Sequence, residues 1–168
     1  MRQSVSDAAT LRVLTASPEE TEAFGARLAA ALPQTAERAV IVYLSGELGA
    51  GKTTLARGFV RACGARTAVR SPTYTLVERH EGTDRTLVHV DLYRLKGSSE
   101  LEALGLRDLL LPRHVWLVEW PERALSALPA PDLRVELAVE ADRHAVNLIA
   151  GSPLGGAWVT RVVELSAP

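Results

Sequence analysis

Lysine is almost missing from this sequence: of its 19 basic side chains only Lys52 and Lys96 are not arginine. Cysteine is rarer still. Cys63 stands alone, which excludes an internal disulfide and suits a small core residue. No stretch reaches the roughly 18 apolar residues of a membrane span, and the opening MRQSVSDAATLRV has no apolar signal core, so the expected compartment is the cytoplasm, with no membrane contact. Charge of one sign is lacking too. A net charge of −1 and a pI near 6.4 supply no chain-wide attraction for nucleic acid, so any RNA contact has to be local or made through a partner. His80, His89, His114 and His144 share no ligand spacing with one another or with Cys63, which argues against zinc and leaves them as surface or strand residues. Repeats, low-complexity segments and interdomain linkers are also missing.

What is present is an apolar content of 47% in 168 residues, enough for one domain with a substantial core, residues 1–168, of which the polar 1–9 are expected to be loose. Leu11, Val13 and Thr15 alternate like a short strand. Ser17, Pro18 and Glu20 form a helix start with a capping box, Phe24, Leu28 and Leu32 its apolar stripe, and Pro33 and Gln34 its end. Residues 39–64 read as strand, loop and helix, closed by Gly64. Two strands around the turn EGTD follow, so antiparallel pairing is expected beside a parallel core. LKGSSELEALGLRDLLLP suggests a short helical region with Leu101, Leu104 and Leu109 apolar, interrupted at Gly105. VWLVEWP suits a strand covered on both faces, with Trp116 in the core. ERALSALP reads as a brief helix, and the alternation from Asp132 onwards predicts a mainly β C-terminal third with Trp158 in its core.

The chemistry gathers at GELGAGKTT. Gly46, Glu47, Leu48, Gly49, Ala50, Gly51, Lys52, Thr53 and Thr54 fit the phosphate-binding pattern of Gly, four residues, Gly, Lys, then Ser or Thr. The glycines let successive N–H groups turn towards phosphate oxygens, and the helix N-terminus favours an anion. Lys52 would reach the β- and γ-phosphates and Thr53 would offer a hydroxyl to Mg²⁺. That a chain so short of lysine keeps one here fits a site for a compact ammonium. A nucleoside triphosphate is the implied ligand.

Two acids end apolar strand-like runs, Asp91 after LVHV and Glu119 after VWLV, and the carboxyl ends of such strands face the ligand crevice of open α/β sheets. Triphosphate hydrolysis needs an acid for the metal and a group that orients water. The spacing does not assign the two jobs. SPTYTL offers Ser71, Thr73 and Thr75 either as a γ-phosphate sensor or as part of a plain turn entering a strand. Arg57 and Arg61, four apart, form either a solvated helix face or a local patch for a partner or RNA. Trp120 beside Glu119 either packs the site or meets a partner.

Taken together, GELGAGKTTLARG, SPTYTLV, HVDLYRL, ELEALGLRDLL and LVEWPER, in that order over most of residues 40–125, resemble the bacterial TsaE (YjeE) ATPases of tRNA threonylcarbamoyladenosine modification. The resemblance implies a P-loop α/β domain with a mixed sheet, parallel at its core and flanked by helices, which hydrolyses ATP to ADP and phosphate, slowly unless partners assist. Lys52 and Thr53 would serve phosphates and Mg²⁺, Glu119 the metal, Asp91 hydrolysis, and Ser71 and Thr73 the switch. It also implies a role for Trp120 and an adenine site near Thr21 and Arg143, although Asp142 stands where the family usually has Gly. Partners resembling TsaB and TsaD would transfer the threonylcarbamoyl group, with tRNA reached indirectly. The rival readings are a small-molecule kinase, for which no inserted lid is visible, and a nucleotide-gated binding module with negligible hydrolysis.

Overall fold

The computed structural model describes residues 9–34 and 37–166. Their centre is a seven-stranded mixed sheet in the order β1-β7-β6-β2-β5-β4-β3, formed by β1 (Thr10–Thr15), β2 (Val40–Ser45), β3 (Val77–Glu81), β4 (Thr86–Asp91), β5 (His114–Glu119), β6 (Leu133–Glu140) and β7 (Arg143–Ala150). The four inner strands β6, β2, β5 and β4 run parallel, and β3, β7 and β1 pair antiparallel at the margins. The period-2 alternation of β2 explains its central place, because both of its faces are apolar. Val40, Val42 and Leu44 join the core shared with α1 (Pro18–Ala31), α2 (Lys52–Ala62) and α4 (Pro153–Glu164). Ile41 and Tyr43 join the opposite core, under α3 (Ser98–Ala103) and the chain that follows β5.

The first helix begins as its sequence predicts: Ser17 Oγ accepts from the Glu20 N–H at 3.2 Å, while Glu20 Oε2 accepts from the Ala16 N–H at 2.7 Å. Helices α1 and α2 pack backbone to backbone. A Cβ on Gly58 would stand 1.9 Å from the Glu22 carbonyl oxygen, and one on Gly25 would stand 2.1 Å from that of Leu55, so neither position has room for a side chain.

Several expectations change. The loose segment 1–9 lies outside the described residues except for Ala9, whose carbonyl accepts from the Ala150 N–H. In LKGSSELEALGLRDLLLP, Gly105 at φ +63° separates α3 from a 3-10 turn, Leu106–Leu109; Leu101 and Leu106 are buried, whereas Leu104 is exposed. ERALSALP, expected as a brief helix, holds only the end of a 3-10 turn, Pro121–Arg123. The mainly β C-terminal third is half right. After β7, Ser152 caps α4 through the Gly155 N–H, and Trp158, Val159 and Val162 are its buried face. Gly155, Gly156 and the β-branched residues of this segment disguise a helix. Gly155 is required by packing, since a Cβ there would lie 1.8 Å from the Asp132 carbonyl oxygen.

Candidate nucleotide site

Strand β2 runs into the glycine loop, and two positions show why glycine is needed. Gly46 has φ +144°, and a Cβ there would meet the Leu137 carbonyl oxygen at 2.2 Å; Gly51, the residue before α2, has φ +101°. No side chain caps α2 and its first turn carries no acid, so the positive end of the helix is left for an external anion.

Lys52 is buried and donates to the carbonyls of Gly46 at 2.6 Å and Glu47 at 2.8 Å. Burial lowers its pKa, and the nearby carboxylates of Glu119, Glu122, Asp91 and Glu47 oppose that shift. Its ammonium also lies 4.2 Å from the Trp120 ring centre, and Trp120 packs on Tyr93 at 4.9 Å. Trp120 reaches this position by adopting φ +58°, a backbone turn uncommon for a bulky residue.

Register brings the acids together, because β4 and β5 are parallel neighbours in which Asp91 faces Glu119. Thr53 Oγ1 lies 3.0 and 3.1 Å from the two Glu119 oxygens. Ser71 and Thr73 both donate to Asp91 Oδ2, Thr73 at 3.1 Å, and the Tyr93 N–H donates to Asp91 Oδ1 at 2.9 Å. Each acid therefore has its own hydroxyl partner: the helix threonine for Glu119, the SPTYTL turn for Asp91.

A cavity of about 560 Å³ collects most of the expected residues. From the loop and its helix come Leu48, Gly49, Gly51, Lys52, Thr53 and Thr54; from the opposite wall come Ser71, Thr73, Asp91 and Glu119. Gly46, Glu47 and Ala50 shape the loop without lining it, and Thr75 is exposed outside it. Thr21 and Arg143 are not in the cavity. Thr21 is buried, and its methyl and the His144 ring both lie beside Gly51; Arg143, the chain neighbour of His144, is exposed at the start of β7. A larger cavity of about 720 Å³, between α3 and residues 126–129 over Trp116, contains neither acid nor any loop residue. Both acids and residues of the glycine loop line the smaller one.

Sequence reasoning missed two histidines. His89 Nε2 is 2.7 Å from Glu119 Oε1, and His144 Nδ1 is 2.7 Å from the Ala50 carbonyl oxygen. Strand alternation could have exposed the first, since His89 and Asp91 share a face of β4; nothing local signals the second. Tyr93 and Arg94 complete the cavity rim, with Arg94 stacked 4.7 Å from the centre of the exposed Tyr74 ring. Arg57 and Arg61, left open above, both pair with Glu22 of α1, so they tie the two helices together.

The Thr53 hydroxyl and Glu119 carboxylate are hard oxygen donors suited to Mg²⁺. Among the described residues no cluster of three His, Cys, Asp or Glu forms a metal cage, so a cation here would complete its shell with phosphate oxygens and water.

Comparison with known proteins points the same way. Residues 15–146 match the family model described as threonylcarbamoyl adenosine biosynthesis protein TsaE. The protein of Haemophilus influenzae named tRNA threonylcarbamoyladenosine biosynthesis protein TsaE is 44% identical over 119 residues, 71% of this chain and 75% of that one. The identically named protein of Streptomyces coelicolor is 42% identical over 132 residues, 76% of this chain and 88% of that one. Among solved structures, that of Bacillus subtilis YdiB superposes with a TM-score of 0.78 at 27% identity, covering 95% of this chain and 98% of the other.

Proposed function

The chain belongs to the TsaE family, and from that premise we propose that residues 1–168 act as one Mg²⁺-dependent ATPase domain serving tRNA threonylcarbamoyladenosine biosynthesis. The observation that carries this reading is the pairing of Thr53 with Glu119 and of Ser71 and Thr73 with Asp91 in one cavity around Lys52.

When ATP enters, Lys52 exchanges the Gly46 and Glu47 carbonyls for β- and γ-phosphate oxygens, and the loop N–H groups take the remaining charge. Thr53 and Glu119 would hold the metal, which would supply positive charge at the phosphates. Thr21 and Arg143 flank the adenine on the β6–β7 side. Asp91 accepts the hydrogen bond that points a water oxygen at the γ-phosphorus. That oxygen bonds to the γ-phosphorus as the bond to the bridging oxygen breaks; ADP leaves with the broken bond's electron pair, inorganic phosphate is formed, and the water proton departs through Asp91.

Ser71 and Thr73 both occupy Asp91 Oδ2, and the γ-phosphate is the group that competes for those hydroxyls. This makes the SPTYTL turn a sensor of ATP against ADP, and partners resembling TsaB and TsaD its readers. A tenfold difference in partner affinity takes only about 1.4 kcal/mol, roughly one hydrogen bond to a charged group. With no net positive charge, the protein leaves tRNA to those partners.

The test is phosphate release from ATP by the isolated protein, repeated with the partner pair and with tRNA. Phosphate release is expected in all three, fastest with partners present. Transfer of labelled γ-phosphate to a metabolite would establish a kinase instead. Equal partner affinity for the ATP-bound and ADP-bound protein would remove the switch.

A further inference from the structure

His89 is wholly buried in β4, where an imidazole needs a reason to be. Its Nε2 lies 2.7 Å from Glu119 Oε1, and its Nδ1 has no hydrogen-bond partner among the described residues. An unpartnered N–H is the rarer burial in folded interiors, so Nδ1 is the bare lone pair and Nε2 carries the proton that Glu119 accepts.

Glu119 is itself 2% exposed, and its side-chain partners are this imidazole and the Thr53 hydroxyl. Thr53 is the partner a cation would recruit. Once it turns to the cation, His89 is the one side-chain partner among the described residues that still fixes the carboxylate, and an acid free to rotate would have to be ordered on binding. We propose that His89 is a positioning residue: its Nε2–H holds Glu119 in the orientation facing Thr53, so that a divalent cation arriving with the nucleotide meets a preformed pair of oxygen donors. This rests on the assignment of Thr53 and Glu119 to the metal. A purely packing role predicts something different, because an apolar side chain of similar size would then serve as well.

The experiment measures ADP binding by calorimetry across a Mg²⁺ series and in EDTA, for the parent, His89→Leu and His89→Gln. Loss of a partner that orients a metal ligand weakens metal affinity about 10-fold to 100-fold. His89→Leu should show that loss in Mg²⁺ dependence with its ADP affinity in EDTA unchanged, and His89→Gln, which keeps an N–H, should recover most of it. Parent-like Mg²⁺ dependence in His89→Leu overturns the proposal, as does an equal loss in EDTA. Should His89→Leu not fold, nitrogen-15 NMR of the histidine-labelled parent decides the matter. The proton must sit on Nε2, and this resonance must shift with Mg²⁺ and ADP but not with ADP in EDTA; a proton on Nδ1 overturns the proposal. If ADP binding by the parent ignores Mg²⁺ altogether, the metal assignment fails and takes this inference with it. If only the histidine results fail, the metal assignment stands.

Discussion

Replacing Lys52 by alanine separates nucleotide binding from folding, because the same ammonium has opposite roles in the two. In the nucleotide-free protein it makes two hydrogen bonds to carbonyls, each worth about 1.5–3 kcal/mol for a charged donor. Burying it costs several kcal/mol. These terms nearly cancel, so Lys52→Ala should melt close to the parent when no nucleotide is present. With nucleotide at 100 times its Kd, the parent gains about 2.7 kcal/mol. Loss of one preorganised electrostatic contact costs about 10²-fold to 10³-fold. A hundredfold weaker Kd leaves the variant about 0.4 kcal/mol at the same concentration. At about 2–4 °C per kcal/mol for a chain of this size, Mg²⁺ and ATP should raise the parent's melting temperature by about 5–11 °C and the variant's by about 1–2 °C. Thermal melts with and without nucleotide read this directly, and phosphate release should fall about 10²-fold to 10³-fold. A variant that keeps the parent's nucleotide-induced shift would refute the reasoning and make the loop structural.

Glu119→Gln should weaken Mg²⁺-dependent ADP binding while Asp91→Asn leaves it nearly intact, although both slow phosphate release; titrating Mg²⁺ against each decides, and a shifted metal dependence in Asp91→Asn alone reverses the roles. Gly58→Ala drives a methyl into the Glu22 carbonyl, an overpacking that costs about 1–3 kcal/mol. Its melting temperature should fall by about 2–12 °C, and no fall would show that α1 and α2 separate freely. Burial pushes the Asp132 carboxyl up, but hydrogen bonds from Arg38, Ser152 and the Ile41 N–H outweigh it and hold its pKa below the ordinary carboxylate value. The carboxylate's contribution to stability is therefore full above the unfolded pKa of about 3.9 and is lost as pH falls through the lower folded value. Acid unfolding of Asp132→Asn should show a shallower loss of stability below about pH 4, even though it starts less stable, and identical pH slopes would exclude this role.

Sequence made legible what is built from neighbours along the chain. The loop, the capping box at Ser17, both acid-bearing strands and the 77–91 hairpin are local patterns, and each was found where its spacing placed it. What stayed hidden depends on residues far apart. Glu22 reaches Arg57 and Arg61, His144 reaches Ala50, and His89 reaches Glu119, all across the fold. Helix α4 failed for a related reason: Gly155 weakens its helical signature because the Asp132 backbone leaves no space for a side chain. Composition along one segment cannot show a demand made by another segment.

The strand order has a consequence for the timing of synthesis. Strand β2 precedes the phosphate loop, yet both strands that clasp it, β5 and β6, lie downstream, and the Ile41 N–H finds the Asp132 carboxylate 91 residues later. A ribosome adding about 5–20 residues per second needs roughly 5–20 s to cover that interval. Until His114–Glu119 is made, over most of that interval, the run VIVYLS has neither neighbour in place, and parallel pairs cannot form ahead of their crossovers. The most apolar strand of the sheet thus spends much of synthesis without cover, and the nascent chain has its phosphate-binding letters well before it has a pocket.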